Sequence, residues 1–310
     1  MSPLMEGPCD EAQKRLIMSD INETDDDKIE HNREVLRAWI RTQPHLPQNY
    51  DDRLITRFIR GCKHNMEVSK KKLDTYFSIR NSQPEFFLHR DPHSKEVQTV
   101  LDTTMIAPFP ILSPDGCRIV YHKISSDAET FNPAALFKTI LMISDIRLHE
   151  ESLFRGDIFV WDLESLSVKH LAKLATPHTK KVLMASQEAF PQRLQQIHLV
   201  NCSQLSEKLT SLFKMFMKPK MRNRWFVHSN PSSLTKHIPL ELIPKELGGN
   251  AMSLHEISES WKQKLYDYSD WFEQQEKIST DESKRPADGK ENNEYSNEQI
   301  KGTFRQISFD

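Results

Sequence analysis

GDIFVWDLESLSVKHL, residues Gly156–Leu171, passes from one kind of secondary structure to another. Its first half, Asp157–Leu163, is a short run rich in β-branched and aromatic residues, which predicts a strand, and a helical pattern follows from Val168. Strands of the same kind are predicted at Cys117–Ile124, Gln196–Asn201 and Arg224–Ser229.

Long helical stretches separate these runs. They are predicted at Pro133–Glu151, Val168–Glu188 and Ser203–Met217. Two parallel strands need a long crossover between them, and that crossover is usually a helix. The alternation therefore predicts an α/β domain built on a mainly parallel sheet.

The first third of the chain is helical instead. Acidic residues at Asp25–Asp27 precede apolar residues at helical spacing up to Ile40, a second helix starts near Asp51, and a third runs from Val68 to Arg80. No run in this part alternates with a period of two. The sequence therefore predicts a helical N-terminal module ahead of the α/β domain.

The overall balance of charge and apolar residues bounds the class of protein. The 310 residues include 42 Lys and Arg against 44 Asp and Glu, a net charge of −2, which predicts no binding to nucleic acid. No run reaches the roughly 18 apolar residues of a transmembrane helix. The first residues lack the pattern of a signal peptide, and the four cysteines are far apart. These features predict a cytoplasmic protein with reduced thiols.

The last part of the chain changes composition again. From Lys277 to Lys301 it is dominated by Glu, Lys, Ser, Asn and Asp, so it has little apolar surface to bury and is predicted to be a mobile linker. The closing segment Gly302–Asp310 regains large apolar residues and is expected to dock back on the body.

Short motifs for catalysis, nucleotides and metals do not occur. The chain has no GxxxxGK[ST], no GxGxxG after a strand and no GxSxG. Its 13 histidines form neither HExxH nor a Cys/His cluster. His122, His198 and His228 lie in predicted strands, where a hydrogen-bonded structural role is the commoner one. We therefore expect no enzyme, no metal site and no cofactor.

The segment Gln204–Trp225 combines an apolar stripe with a cationic cluster. The stripe, at helical spacing, consists of Leu205, Leu209, Leu212, Phe213, Phe216 and Met217. The cations are Lys208, Lys214, Lys218, Lys220, Arg222 and Arg224, against the single acid Glu207. Such a helix suits an anionic lipid surface, and it suits equally a protein core with a solvated charged side. Periodicity alone leaves both interpretations open.

Five segments, in order along the chain, resemble the CRAL-TRIO family of lipid-transfer proteins, whose members include tocopherol-transfer and retinaldehyde-binding proteins. LITRFIRGCKHNMEVSKKKLDTYFSIR resembles the helical N-terminal module, and GDIFVWDLESLSVKHL resembles the family's Gly…Asp strand and its helix. EAFPQRLQQIHLVN is similar to a stretch that here contains Phe190, Pro191, Arg193, Ile197 and Asn201. FMKPKMRNRWFVHS and IPKELGGN complete the set, and the final GTFRQISFD resembles the ends of arthropod members.

This resemblance implies the domain limits and the fold. The helical module is expected at residues 1–95, the CRAL-TRIO α/β domain at 96–253, and a C-terminal helix, linker and tail at 254–310. The mainly parallel sheet is expected to form the floor of an apolar cavity that holds one lipid. The adjacent Gly248 and Gly249 would close the domain in a turn, where small residues permit conformations that a Cβ would obstruct.

The resemblance also implies a mechanism. The helix Ser203–Met217 is expected to be a lid, hinged near Asn201–Ser203 and Lys218–Lys220. In the closed position its apolar stripe covers the ligand, and in the open position the same stripe enters a membrane interface. One stripe would then serve both purposes that periodicity leaves open.

The ligand-binding residues that the resemblance implies lie on the walls of this cavity. Phe137, Ile140 and Ser144 share one face of a helix, and Phe159 and Trp161 share one face of a strand. Ser144 matches a polar position that contacts the ligand head in the tocopherol protein. The other expected residues are Val182, Phe190, Leu194, Ile197, Leu209, Leu212 and Phe213. Plain core packing is the alternative for each, and we expect roughly half of them to touch a ligand.

Four cations are matched to phosphoinositide-binding positions of the family: Lys63, Arg193, Lys220 and Arg224. Lys63 lies beside the matching position, which is Cys62 here, and another position that is basic in the tocopherol protein is Gln195. These departures predict a weaker or purely electrostatic recognition of the headgroup. A Lys or Arg near an anionic surface contributes about 1 kcal/mol to binding.

The sequence thus predicts a cytoplasmic lipid carrier that binds one hydrophobic molecule, such as a tocopherol or a retinoid, and associates peripherally and transiently with phosphoinositide-containing membranes. The alternative is a phosphoinositide-binding membrane-trafficking adaptor with a secondary lipid cavity. A lipid esterase is a third hypothesis, but no nucleophile–base pair in the sequence supports it. The sequence does not indicate an oligomeric state.

Overall fold

Helices form the N-terminal third of the computed structural model, which describes residues 4–124, 127–151, 153–203 and 205–286. These helices are α1 (Glu11–Ile21), α2 (Asp26–Arg41), α3 (Asp52–Gly61), α4 (Met66–Ser82), α5 (Pro84–Phe87) and α6 (Lys95–Thr103). The predicted helices are confirmed as α2, α3 and α4, whereas the sequence analysis does not predict α1 and α6. Asp25, Asp51 and Asn65 explain where the predicted three begin, because each side chain accepts a hydrogen bond from a backbone N–H of the first turn.

Five strands form one sheet, in the same order as along the chain. They are β1 (Thr104–Leu112), β2 (Cys117–Ile124), β3 (Gly156–Asp162), β4 (Leu194–Val200) and β5 (Trp225–Val227). β1 pairs antiparallel with β2, and every other pair is parallel. The predicted class, a helical N-terminal module followed by an α/β domain with a mainly parallel sheet, is confirmed.

The strand that sequence analysis does not predict is β1. It contains Pro108 and Pro110, and its register with β2 shifts between Pro108 and Leu112. Proline cannot donate a hydrogen bond to a neighbouring strand, so it is tolerated mainly at the edge of a sheet or at a bulge. β1 is an edge strand with a bulge, which accommodates both prolines.

The crossover helices pack on one face of the sheet. They are α7 (Pro133–Glu150), α8 (Val168–Leu174), α9 (Pro177–Glu188), α10 (Leu205–Met215) and α11 (Pro219–Arg222). Right-handed crossovers between strands in sequential order place all their helices on the same side. The helix predicted over Val168–Glu188 is two helices, because Pro177 lacks a backbone N–H and begins α9 in its first turn.

The opposite face of the sheet is covered by the C-terminal part of the chain. α12 (Leu254–Asp267) packs on β1, and its Trp261 indole N–H donates to the carbonyl of Pro108 at 2.9 Å. The Tyr121 hydroxyl donates to the carbonyl of Leu242 at 2.7 Å. This part also contains α13 (Ser269–Gln275) and the 3₁₀ helices Pro231–Lys236, Leu240–Leu242, Lys245–Leu247 and Glu282–Lys284.

The packed part of the chain extends further than its composition predicts. The linker was expected to begin at Lys277, yet Arg285 is only 8% exposed and pairs with Asp74 of α4 at 2.8 Å. Thr280, also buried, accepts a hydrogen bond from Asn81 at 3.1 Å. These contacts hold the segment against the helical module. The remainder of the predicted linker and the predicted docking tail, residues 287–310, lie outside the described residues.

A buried ionic cluster joins the helical module to the α/β domain. The carboxylate of Asp145 in α7 accepts hydrogen bonds from the Tyr76 hydroxyl at 2.9 Å, from Arg80 at 2.7 Å and from Arg90 at 2.6 Å. Close packing adds to it, because a Cβ on Gly61 of α3 would overlap the backbone of Pro191. Removing one member of a buried ion pair typically costs about 3–5 kcal/mol, so the two parts are firmly connected.

Among the residues that the structure describes, no helix is both long and apolar enough to span a bilayer.

Candidate functional site

A cavity of about 800 Å³ lies between the sheet and the crossover helices. Side chains alternate along each strand, so every second residue faces the cavity and forms its floor. In β3, Phe159 and Trp161 line the cavity, whereas Val160 between them points to the other face. α7, α9 and α10 form the walls and the cover. The sheet face that carries the helices is therefore also the face that carries the cavity.

Eleven of the twelve predicted ligand-binding residues line this cavity. They are Phe137, Ile140, Ser144, Phe159, Trp161, Val182, Phe190, Leu194, Ile197, Leu209 and Phe213. The twelfth, Leu212, is buried in the core at 3% exposure and is not part of the lining. The structure brings residues from two strands and three helices together, and their contact with a ligand stays a prediction.

The predicted lid is α10 together with the turn that follows it. Leu209, Phe213 and Met217 line the cavity from this side, and Leu212 is buried beside them. Met215, which is outside the predicted stripe, is 46% exposed. The apolar stripe thus faces inward and covers the cavity. The side chain of Leu205 lies outside the described part of the chain, and opening of the helix stays a prediction.

The N-terminal end of the lid follows a strained but anchored residue. Asn201 adopts a left-handed conformation with φ 55°, and its side-chain amide donates to Asp162 at 2.8 Å. Asparagine tolerates this conformation better than most residues. The predicted hinge near Asn201 therefore has a fixed starting point at the end of β4.

The C-terminal end of the lid is held by one glutamine of α9. The side-chain amide of Gln187 donates to the carbonyl of Phe216 at 3.0 Å and accepts from the backbone N–H of Lys218 at 2.8 Å. The Lys218 ammonium also pairs with Glu188 at 2.5 Å. We call Gln187 with these two backbone groups the lid latch.

One ring nitrogen on the cavity floor has no hydrogen-bond partner among the described residues. His122 of β2 is 2% exposed, stacks on Trp161 with ring centroids 4.0 Å apart, and its Nδ1 makes no hydrogen bond to any described residue. Burial is the main reason that its pKa falls to about 3, so the ring is neutral at physiological pH. A neutral imidazole nitrogen in an apolar wall can pair with a hydroxyl or carbonyl group of a ligand.

A second polar spot lies where α7 meets the start of β3. Arg147 donates to one carboxylate oxygen of Asp157 at 2.7 Å and pairs with Glu151 at 2.7 Å, and both Arg147 and Asp157 line the cavity. The second carboxylate oxygen of Asp157 has no partner among the described residues. Burial raises the pKa of Asp157, against the effect of Arg147. The mainly apolar cavity thus has two buried places that could orient a polar end group.

The sequence analysis does not predict these polar positions, although the spacing of Arg147 and Asp157 along their elements indicates that both face the cavity. Arg147 lies three residues after Ser144 and shares its helix face, and Asp157 alternates with Phe159 on the same strand face. His122 was expected to be a satisfied strand histidine. Its free Nδ1 differs from that expectation, because the partner of a buried ring is set by distant parts of the chain.

The four predicted phosphoinositide-binding cations all lie on the lining of the same cavity. Lys63 and Lys220 are exposed, which marks the side where the lining reaches the surface. Lys220 has no acidic partner within 4.0 Å in the described part of the chain, whereas Arg224 donates to the carbonyl of Leu194. We call Lys63, Arg193, Lys220 and Arg224 the basic rim. Binding of a headgroup by the rim stays a prediction.

An acid from α1 neutralises half of this basic rim. Asp20 pairs with Lys63 at 3.2 Å, with Arg193 at 3.0 Å and with Arg155 at 3.4 Å. Partial burial opposes its ionisation, but the hydrogen bond from Lys63 and the charge of Arg193 hold its pKa below the ordinary value. Its carboxylate therefore remains ionised and lies where an incoming anion would meet these cations.

Comparison with known proteins agrees with this architecture. A family model described as the CRAL/TRIO domain matches residues 109–249, and one described as the Pinta-like UBA domain matches residues 25–97. The alpha-tocopherol transfer protein-like protein of Homo sapiens is 29% identical over 228 residues, which cover 71% of this chain and 65% of that protein. Clavesin-1 of Rattus norvegicus is 26% identical over 231 residues, covering 72% of this chain and 64% of that protein.

The chain therefore spans slightly less than two thirds of the length of these curated relatives. Among solved structures, that of Sfh5 aligns with 77% of this chain and 97% of its own at 16% identity and a TM-score of 0.48. The resemblance inferred from five ordered segments is confirmed by the family model and by the curated relatives. With its helical module and its mainly parallel sheet, this chain contains a region, residues 109–249, that matches the CRAL/TRIO domain.

Proposed function

We propose that this protein is a lipid carrier that holds one hydrophobic molecule in the cavity and exchanges it at phosphoinositide-containing membranes. The observation that carries the proposal is the cavity itself. Its volume of about 800 Å³ lies within the range of about 300–1,000 Å³ that is usual for sites of small ligands. Apolar and aromatic residues outnumber polar ones in its lining, which favours a lipid over a polar metabolite.

The polar groups of the wall support a ligand that is apolar along its length and carries one polar end. His122 Nδ1 and one carboxylate oxygen of Asp157 have no hydrogen-bond partner among the described residues, and leaving such groups unpaired costs about 1–3 kcal/mol each. A ligand with a hydroxyl or carbonyl group could relieve part of this cost. Tocopherols and retinoids have this character, and the name of the human relative refers to tocopherol transfer.

The position of the lid and the basic rim supports exchange at a membrane. The stripe of α10 is apolar on the inside, and the exposed Lys63 and Lys220 lie on the lining of the same cavity. When the helix swings outward, its apolar face can enter the interface of a bilayer while the cations meet anionic headgroups. Release of the ligand would then occur directly into the membrane.

Native mass spectrometry of the purified chain, followed by extraction of the bound lipid, tests the carrier. We offer α-tocopherol and retinal to wild type, to Ser144→Trp, which fills the cavity, and to Ser260→Trp, a control on the exposed side of α12. Wild type and control should each carry one lipid per chain, and Ser144→Trp at least tenfold less. Equal occupancy in all three would contradict the cavity as the binding site.

A phosphoinositide-binding adaptor is the second candidate, because the basic rim could act without the cavity. Sedimentation with vesicles that contain phosphatidylinositol bisphosphate separates the two. The double variant Lys220→Ala and Arg224→Ala should lower vesicle binding by about tenfold or more, at about 1 kcal/mol for each cation, and keep its lipid. A chain that binds vesicles strongly through the rim but accepts no lipid would favour the adaptor.

A further inference from the structure

Three histidines that are far apart in the sequence meet on the face of the sheet opposite the cavity. His198 lies in β4, His228 directly follows β5, and His237 follows the 3₁₀ helix Pro231–Lys236. Each offers a ring nitrogen, and these three nitrogens lie within 4.8 Å of one another. His198 is fully buried, His228 is 6% exposed and His237 is half-buried. We call them the histidine cluster.

In His198 and His228, the ring nitrogen that points away from the cluster donates a hydrogen bond to a neighbouring side chain. His198 Nε2 lies 2.8 Å from the side-chain oxygen of Gln196, which can only accept, so this nitrogen carries the proton. His228 Nδ1 lies 2.6 Å from the hydroxyl of Ser233, and that hydroxyl donates to the carbonyl of Asn230 at 2.8 Å. The hydroxyl therefore accepts from His228 Nδ1–H.

These bonds leave an unshared electron pair on the ring nitrogen of each histidine that points into the cluster. A neutral imidazole carries one proton, so His198 Nδ1 and His228 Nε2 are both acceptors, although they lie only 2.9 Å apart. Two acceptors at this distance repel each other unless a cation lies between or beside them. Neutral imidazole is the form of histidine that binds metals.

We propose that His198, His228 and His237 bind one divalent transition-metal ion of the zinc class, with water or another group as the fourth ligand. Three neutral imidazoles suit zinc, copper and nickel, whereas calcium and magnesium prefer oxygen ligands. Gln196 and Ser233 would be the outer partners that orient metal-binding histidines by accepting from their second nitrogen. No short sequence motif predicts the site, because the ligands come from three separate segments.

The distances require only small side-chain movements. Tetrahedral zinc with bonds of about 2.0–2.1 Å places its ligand atoms about 3.3 Å apart, so the 2.9 Å pair must open slightly and His237 must close in by up to about 1.5 Å. The backbone that carries two of the ligands is fixed by the sheet, since His228 N–H donates to the carbonyl of Leu199 at 2.8 Å. His237 is the least buried of the three and has the most room to move.

A bound ion would tie the outer edge of the sheet together. It would link β4, the end of the three-residue strand β5 and the segment after the 3₁₀ helix. Strand β5 contributes Trp225 to the cavity lining and is preceded by Arg224 of the basic rim. The ion lies on the opposite face, so the site is independent of the lipid and its test does not depend on the carrier function.

The test is a titration of the full chain, without an affinity tag and after dialysis against a chelator, with Co²⁺ as the optical probe. Wild type should bind one Co²⁺ per chain with the visible absorption of a tetrahedral site, and one equivalent of Zn²⁺ should displace it. His237→Gln should weaken Co²⁺ binding at least tenfold. The matched control is His255→Gln, at an exposed position of α12, which should bind like wild type.

Gln196→Leu is the second variant, because it leaves all three ligands in place and removes only an outer partner. Loss of such a partner typically weakens metal binding by about 10–100-fold, a shift that thermal unfolding with and without Zn²⁺ also reports. A wild-type chain that takes up no Co²⁺ or Zn²⁺ at stoichiometric concentration overturns the site. So does a His237→Gln variant with unchanged affinity and stoichiometry, because a merely aromatic or proton-sharing cluster would behave in that way.

Discussion

Gly248 and Gly249 are adjacent, and each position excludes a side chain for a different reason. Gly248 has φ 83° and open space around its α-carbon, so only its backbone conformation resists other residues. At Gly249 a Cβ would overlap the carbonyl of Ile243, which is fixed by a hydrogen bond from Ala251 N–H at 3.0 Å. The turn that ends the α/β domain thus depends on two separate constraints.

These constraints predict unequal costs for the same substitution. Gly248→Ala should lower the free energy of unfolding by about 1–2 kcal/mol, the cost of the left-handed conformation. Gly249→Ala should cost about 3 kcal/mol or more, because backbone must move. Urea unfolding of the two variants checks this, with each serving as the control of the other. A larger loss in Gly248→Ala would show that the close approach at Gly249 does not limit stability.

The residues of the site differ in how far the sequence could predict them. Phe159 and Trp161 followed from the alternation of a strand, and Ser144 from a family position on a regular helix face. The proximity of His198, His228 and His237 could not be predicted, because it depends on strand register and on a 3₁₀ turn. Local periodicity specifies which face a side chain occupies, but not which distant residue meets it there.

At the scale of elements, the predicted lid is the part to which the proposed function gives two roles. Its inward stripe is core while the cavity is closed, and the lid latch holds its C-terminal end. The two latch hydrogen bonds contribute about 1 kcal/mol each, which is a modest barrier compared with the buried stripe. On the proposed function, an element held in this way would open without unfolding the domain below it.

Removing the latch should speed the release of a bound lipid. In Gln187→Ala both latch hydrogen bonds are lost, so transfer of a fluorescent lipid from loaded protein to acceptor vesicles should accelerate about fivefold or more. Stopped-flow fluorescence measures the rate. Gln263→Ala, an exposed glutamine of α12, is the matched control and should transfer at the wild-type rate. An unchanged rate in Gln187→Ala would mean that another step limits release.

The elements themselves were predicted unevenly. Strands β2 to β5 carry continuous apolar or aromatic runs, and α2 to α4 carry caps and helical spacing, so both groups were found. β1 was missed because its prolines indicate a loop, and only its place at the edge of the sheet makes them acceptable. α1 was missed because the packing of Ile17 and Ile21 against Leu112 and Leu153 is needed to stabilise it.

At the scale of the whole molecule, α1 connects the N-terminus to the basic rim. Its apolar contacts place Asp20 beside Lys63, Arg155 and Arg193. The Asp20 carboxylate neutralises cations that a lipid headgroup would otherwise contact. On the proposed function, α1 therefore weakens binding to anionic membranes and sets how strongly the carrier attaches to them.

Neutralising this acid should strengthen attachment. Asp20→Asn should raise binding to vesicles that contain phosphatidylinositol bisphosphate by about fivefold at low salt, since about 1 kcal/mol of cation attraction is released. The difference should shrink in high salt, where exposed charges are screened. Glu11→Gln, on the exposed first turn of the same helix, is the control. Equal binding by both variants would mean that the Asp20 cations do not face the membrane.

The cavity leaves part of the protein interior without packed side chains. Protein interiors are otherwise close-packed, whereas a space of about 800 Å³ has no side-chain contacts across it. The space must therefore be filled by lipid or water, or the walls must close in. On the proposed function, a bound lipid would take the place of core side chains, and the melting temperature of the protein should rise with the concentration of free lipid.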